Sequence, residues 1–491
     1  MKIKEITIEN FKSFKGSHTF LISEKMNFIV GENNTGKTTL FEAISFLQNG
    51  IPKGKELGDI KNKSCSDTDN MGVTLKLQGN INQIIDNFSQ EKFKSHVFED
   101  DGIETILLRR QSQQSSWTDS KGGKKTLSIK DLGVWNEEEK EFQNPSGFSA
   151  AFKTLFDCQF IWADTNSEDI LDFGSTKICG RLLNIIAKDF FSSPEYQDFK
   201  QEHYSIFQDK ENKKSLSNRV SGLESELESL LKEQYGEVGI SFDFQMPDDS
   251  NFLKIGDIEL DDGVKTSKSE KGSGLQRTLA LSLMQLYASK EAQHIDNDDI
   301  IKPLMFFIDE PETYLHPRAQ DKLINSFKEL SKKHQIFITT HSPYLLKSFS
   351  GDENKLLIFE KTDCESRHKD ISQEFSLFKT ETPSWGEINY FAYKICWPEF
   401  HNELYGYIQA QDDSYANENG LENYLVSKKI AKTKEWKREF KGIVKEPYPV
   451  TLQTYIRNSI HHPENTNNDT YTYDDLVKST EEMIRLIKEE F

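Results

Sequence analysis

The chain has 491 residues, too many for one compact core, so two or three domains are expected. Its formal net charge of −19 opposes indiscriminate wrapping of nucleic acid, which clustered Lys and Arg drive through counterion release; any such contact must be a local patch. Hydrophobic residues make up 35% and charged residues 29%, and no apolar run is long enough to span a bilayer.

Residues 1–8 alternate like a strand, with Ile3, Ile6 and Ile8 on one face. They lack the apolar core and small-residue cleavage site of a signal peptide, so a cytoplasmic protein with no membrane partner is expected. An apolar run at 26–30 leads into Gly31-Glu32-Asn33-Asn34-Thr35-Gly36-Lys37-Thr38, a complete GxxxxGK[ST] phosphate loop. Its glycines let backbone N–H groups point at phosphates, Lys37 suits the β/γ-phosphates, and Thr38 suits Mg²⁺. Leu40, Ala43, Ile44 and Leu47 then recur at helical spacing, so the loop opens a helix whose dipole favours an anion. A nucleotide and Mg²⁺ are the expected ligands.

Between 50 and 150, short strand-like runs at 73–77 and 103–108 alternate with polar clusters, which reads as an antiparallel β lobe with long loops such as 111–125. Residues 180–236 are helical in pattern. Val220, Leu223, Leu227 and Leu230 follow 3-4-3 spacing over about two heptads, which suits a helical hairpin packed on the core rather than a long coiled-coil arm. Lys271-Gly272-Ser273-Gly274-Leu275-Gln276-Arg277 stands directly before a helical run and is, alone, as often a linker as a site. The five cysteines, Cys65, Cys158, Cys179, Cys364 and Cys396, are dispersed without a CxxC pair and read as reduced structural thiols.

Two apolar runs follow, at 304–308 and 336–339, as expected of parallel strands buried on both faces. The first ends in Asp309-Glu310, which would emerge at the carboxyl edge where α/β ligands sit. There Asp309 would hold Mg²⁺ and Glu310 would polarise an attacking water. The second ends in Thr340-His341, where an imidazole can reach a γ-phosphate. The run 355–360 reads as the last strand of this core. From about 385 the pattern becomes helical, with segments around 386–411, 421–441, 450–461 and 473–490. The expected domains are 1–180, an N-terminal lobe; 181–240, a helical insertion; 241–380, a C-terminal lobe; and 385–491, a separate all-α domain.

Taken together, these motifs resemble the ABC-type ATPases of the SMC/RecF/OLD branch found in prokaryotic antiviral defence systems. Gly31 to Thr39 resembles that branch's phosphate loop, and Ile8-Glu9-Asn10-Phe11-Lys12-Ser13-Phe14 resembles its opening strand. Asp309-Glu310-Pro311-Glu312 with Leu315-His316-Pro317 resembles its Walker B and D-loop. The resemblance implies a mixed-sheet α/β head in which Gly31, Asn33, Asn34, Gly36, Lys37, Thr38 and Thr39 bind ATP. It also implies that Ser273, Gly274 and Gln276 of one subunit close over ATP held by another, so a homodimer or higher even-numbered oligomer is expected. Gln159, in the stretch 159–166, takes the place of the Q-loop and joins Thr38 and Asp309 as a metal ligand.

A built-in Toprim nuclease is not expected: after His341 the strand 355–360 is the only such run, and Asp412-Asp413 sits in a polar loop. The helical domain instead carries Arg457-Asn458, followed by His461 and His462. This resembles the RNx₃H motif of HEPN domains, many of them metal-independent ribonucleases, and implies general-base work by His462 and charge stabilisation by Arg457. His461 is the rival base, and a plainer reading has Arg457 and His461 complement the helix C-terminus. Lys428, Lys429, Lys432, Lys434, Lys437, Arg438, Lys441 and Lys445 surround Trp436 and Phe440, which suits either RNA (tRNA) or a solvated helix face paired by Glu435 and Glu439. Three readings stay open: an ATP-gated ribonuclease, an ATPase controlling a separate nuclease subunit (Toprim or HNH), and a RecF-like DNA-repair ATPase.

Overall fold

Leu304–Asp309 and Gln335–Thr339 are buried at every position, and Met26–Gly31 at every position but its last. Such strands can only lie inside a sheet covered on both faces. In the computed structural model they form the middle of a six-stranded sheet ordered Asp157–Ile161, Leu304–Asp309, Gln335–Thr339, Met26–Gly31, Lys355–Thr362, Glu365–Asp370. All neighbours are parallel except the last pair. The run 355–360 is therefore not the end of this sheet; it turns back into an antiparallel edge strand. Residues 1–491 are described except 88–89, 120–121, 164–170, 175–177, 235–236, 247, 255–256, 292–303, 348, 363–364, 372–376, 381–382 and 441.

A second, antiparallel sheet is ordered Glu141–Gln143, Gly133–Asn136, Ile103–Gln111, Gly72–Gln78, Lys2–Glu9, Ser17–Leu21, with Phe98–Asp100 added on Ile103–Gln111. Its alternating Ile3, Ile6 and Ile8 are fully buried, as the period-two pattern requires. Gln335, also fully buried, ties the two sheets together. Its Oε1 accepts from Ile3 N at 2.8 Å, and its Nε2 donates to Ile3 O and Ser23 O at 2.7 Å each.

By contacts the chain forms two compact units, Met1–Ala163 with Lys302–Phe491, and Asp164–Ile301. The second unit is mainly helical, with Ile178–Phe191 packed on Ser273–Glu291. Its long helix Leu216–Gln234 does not bury the 3-4-3 stripe as a seam. Leu223 and Leu230 are 49% and 54% exposed, whereas Glu224 is buried, accepting from Phe242 N at 2.7 Å and pairing with Lys210 at 3.3 Å.

The C-terminal region is framed by helices Pro398–Gln409, Glu418–Ser427, Leu452–His461 and Tyr473–Glu490. The helix expected over 421–441 stops at Ser427, and Lys429 turns the chain with a left-handed φ of 67°. Lys432–Trp436 then pairs antiparallel with Tyr448–Thr451. The inward positions are Lys434, over the Tyr455 ring and 3.3 Å from Asp475, and Trp436, packed with Val450 and Tyr455. Trp436 is 2% exposed, so it cannot serve as a base-stacking platform. Lys428 and Lys432 are likewise engaged by Glu490 and Glu422; Lys441 lies outside the described residues. Trp436→Ala should therefore cost the C-terminal region about 3–5 kcal/mol, read by denaturant unfolding. A cost below about 1 kcal/mol would mean the ribbon is not part of this core. No helix among the described residues is long and apolar enough to cross a membrane.

Candidate nucleotide site

The three buried parallel strands end at one edge, where the phosphate loop, Asp309, Glu310 and His341 sit. Met26–Gly31 passes into the loop, where Asn34 (φ 63°) and Gly36 (φ 100°) take left-handed backbone. Gly31 is obligatory for a second reason: a Cβ there would lie 2.2 Å from Phe359 O. The helix Lys37–Asn49 begins with no side-chain cap and no acid in its first turn, which leaves its first N–H groups for an anion. Lys37 is buried and its Nζ lies inside the loop, donating to Gly31 O at 3.0 Å and Glu32 O at 2.8 Å. Burial lowers its pKa, opposed by the nearby charges of Glu310, Asp309 and Glu312.

Thr38 reaches across the end of Gln335–Thr339 to Asp309, donating to its two oxygens at 3.3 and 3.1 Å. The Thr339 hydroxyl also donates to Asp309. Burial raises the Asp309 pKa, which these hydroxyl bonds oppose. A buried carboxylate beside a hydroxyl is a hard-oxygen pair that fits Mg²⁺, and a cation there would repay its desolvation.

Glu310 adopts a left-handed φ of 45°, unusual for a residue with a side chain, and strain of this kind gathers at functional sites. Its N–H donates to Thr339 O (3.1 Å) and Oγ1 (3.0 Å), which fixes the turn, and its Oε1 lies 3.4 Å from His341 Nε2. Glu312 is held deeper: its Oε1 accepts from the Thr340 hydroxyl and from His341 N, both at 2.7 Å. Thr339, Thr340 and Glu312 were not singled out from sequence as site residues, although polar residues closing a wholly apolar run are the signal that marks them.

Gln159 is not brought to this edge. It pairs in register with Phe306, three positions before Asp309, and stands buried in mid-strand. The backbone that reaches Asp309 is that of Ala163, and the rest of the stretch, 164–166, lies outside the described residues. Asn33 and Asn34 are exposed on the loop and Thr39 opens the helix behind it. Ser273 and Gly274 begin the helix Ser273–Glu291 in the second unit, with Ser273 exposed, and Gln276 Nε2 donates to Lys271 O at 2.8 Å.

Arg457 lies on Leu452–His461, its guanidinium over the Tyr405 ring and donating to Asn458 Oδ1 at 2.9 Å. Asn458 is buried and donates to Glu418 at 3.1 Å. His461, one turn after Arg457, is the last helical residue; burial, then the charges of Arg457 and His462, lowers its pKa. His462 lies just past the helix end, exposed, with Nδ1 3.3 Å from Glu464 Oε1. Arg457 thus shares a helix face with His461 rather than with His462.

A glycine-rich loop on a helix N-terminus, a Thr–Asp pair and a Glu–His pair at adjoining strand ends define a P-loop ATPase of the ABC type. A family model described as AAA ATPase domain (AAA_15) matches residues 1–346, and the chain belongs to that family. Old nuclease of Escherichia phage P2 is 26% identical over 402 residues, 78% of this chain and 64% of that protein. Endonuclease GajA of Bacillus cereus (strain VD045) is 21% identical over 412 residues, 77% of this chain and 62% of that one. This chain therefore spans less than two thirds of either relative. Among solved structures, an SMC head bound to the C-winged helix domain of ScpA covers 76% of this chain and 99% of its own, at 15% identity and a TM-score of 0.43.

Proposed function

We propose that this chain is the ATP-driven switch of an antiphage defence system. The carrying observation is the convergence of Thr38, Asp309, Glu310 and His341 on one sheet edge around the phosphate loop. The loop N–H groups and Lys37 bind the triphosphate; Thr38 and Asp309 would hold Mg²⁺, which would supply charge neutralisation. Glu310 orients and takes a proton from the attacking water, while His341 positions the γ-phosphate. Ser273 and Gly274 of a second copy complete the site, so ATP joins two heads and its hydrolysis releases them.

The effector under this control is the chain's own C-terminal region, acting on tRNA or other RNA. A histidine at the end of Leu452–His461, His462 or His461, takes the proton of a ribose 2′-OH, whose oxygen attacks phosphorus. The 5′-oxygen leaves with a proton returned to it, and Arg457 stabilises the charged transition state. Cleavage of total tRNA by the full chain in the presence of ATP should be lost in Arg457→Ala/His462→Ala while ATP turnover persists. Cleavage by the double variant equal to wild type would sink the ribonuclease reading.

A second reading is supported by the names of two relatives, Old nuclease and Endonuclease GajA, which match 78% and 77% of this chain. In that reading the chain controls a separate nuclease subunit acting on RNA or DNA. Active ATPase with no RNA cleavage, and a nuclease co-purifying with it, would establish that reading instead.

A further inference from the structure

The helix that opens the C-terminal region does not stay α-helical. Trp385–Glu387 runs into a π-helical turn, Ile388–Ala392, and Lys394 then bends the chain with a left-handed φ of 58°. Such π turns are rare and concentrate at functional sites. This one brings Tyr393 onto the nucleotide edge. A cavity of about 390 Å³ is lined by Gly31, Glu32, Thr35 and His341, and by residues 392–395.

Glu312 Oε2 is buried here without a hydrogen-bond partner, and the buried Tyr393 hydroxyl is hydrogen-bonded to Thr340, the residue whose own hydroxyl donates to Glu312 Oε1. Burial, and then the charge of Glu312, pushes the Tyr393 hydroxyl well above its usual pKa, with Thr340 opposing. Glu312 already spends its other oxygen on Thr340 and His341 N, so its state and that of the His341 backbone are linked. A buried carboxylate oxygen without a donor is unfavourable, and a small approach of the Tyr393 hydroxyl, now bonded to Thr340, satisfies it.

The same region is tied to the turn by packing. The short helix Pro343–Leu346, directly after His341, packs on Ile388–Ala392. Trp385 meets Tyr344 edge-on, with ring centroids 4.9 Å apart. A shift of His341 therefore has to be felt in 385–395.

We infer that Tyr393 is a positioning residue of the ATPase site, through which the C-terminal region senses the γ-phosphate. Its hydroxyl donates to Glu312 Oε2 in one nucleotide state and releases it in the other, and the π turn moves with it. This rests on the ATPase site assigned above.

The test is steady-state ATP hydrolysis by the full chain carrying Tyr393→Phe, Glu312→Gln, or both. Phe keeps the ring and removes only the hydroxyl. The expected result is a kcat about 10-fold lower at unchanged KM for ATP in Tyr393→Phe. The double variant should be no slower than Glu312→Gln alone, because coupled residues are not additive. Wild-type turnover in Tyr393→Phe, or losses that multiply in the double variant, would overturn the inference. Should the Phe variant not fold, hydrogen exchange decides. Peptides over 388–396 in Glu310→Gln must differ in protection between ATP and ADP, and equal protection overturns it. Absence of ATP turnover in the wild type would instead remove the ATPase reading itself.

Discussion

Glu310→Gln should lower ATP turnover about 10²- to 10⁴-fold, the range that a positioned general base contributes, and leave ATP affinity unchanged. Glu310 is not itself a residue of the phosphate loop. It stands at the adjoining strand end, its backbone pinned by two bonds to Thr339 and its carboxylate 3.4 Å from His341. Gln has the same shape and keeps those backbone bonds, but it cannot accept the water's proton. Phosphate release and nucleotide titration on the same preparations measure the two quantities separately. With ATP and Mg²⁺ the variant should also accumulate as the two-headed form in light scattering, whereas wild type should return to single chains as ATP is consumed. Turnover within about fivefold of wild type would show that another group activates the water.

Lys37→Ala should have the opposite signature: binding fails first. Lys37 is a buried ammonium whose hydrogen bonds are two loop carbonyls, with three acids in its electrostatic surroundings. A phosphate offers it a charge-assisted bond worth about 3 kcal/mol, so its removal should weaken ATP binding on the order of 100-fold. Ala also leaves the charges of Asp309, Glu310 and Glu312 unopposed at the place a triphosphate must enter. Calorimetric titration with ATP checks this; an affinity within about threefold of wild type would mean that the loop's N–H groups alone hold the nucleotide. The two variants together separate holding the nucleotide from cleaving it.

Much of this site was legible because it is written in unbroken apolar runs. A strand such as 304–308 has one place to be, and the polar residues that close it must surface at a sheet edge. The motif at 31–38 adds a turn chemistry that few other structures need. What was not legible depends on register and on distant segments. Gln159 looked suitable by its neighbourhood in sequence, but strand pairing sets it opposite Phe306 and buries it short of the edge. The stretch 428–436 is rich in Lys and Glu, which suits a helix, and its period-two spacing of Lys434 and Trp436 spans too few residues to outweigh that. Only the packing of Trp436 on Val450 and Tyr455 decides for a ribbon. Tyr393 carried no signal at all, because its partners Thr340 and Glu312 are far away in the chain.

The Gln335 amide grips the first strand of the antiparallel lobe at Ile3, while four residues further along the same strand Thr339 steadies both Asp309 and Glu310. One strand therefore carries both the joint to the lobe and the hydroxyl that holds the two acids, so a substitution at either end is made on a single shared element.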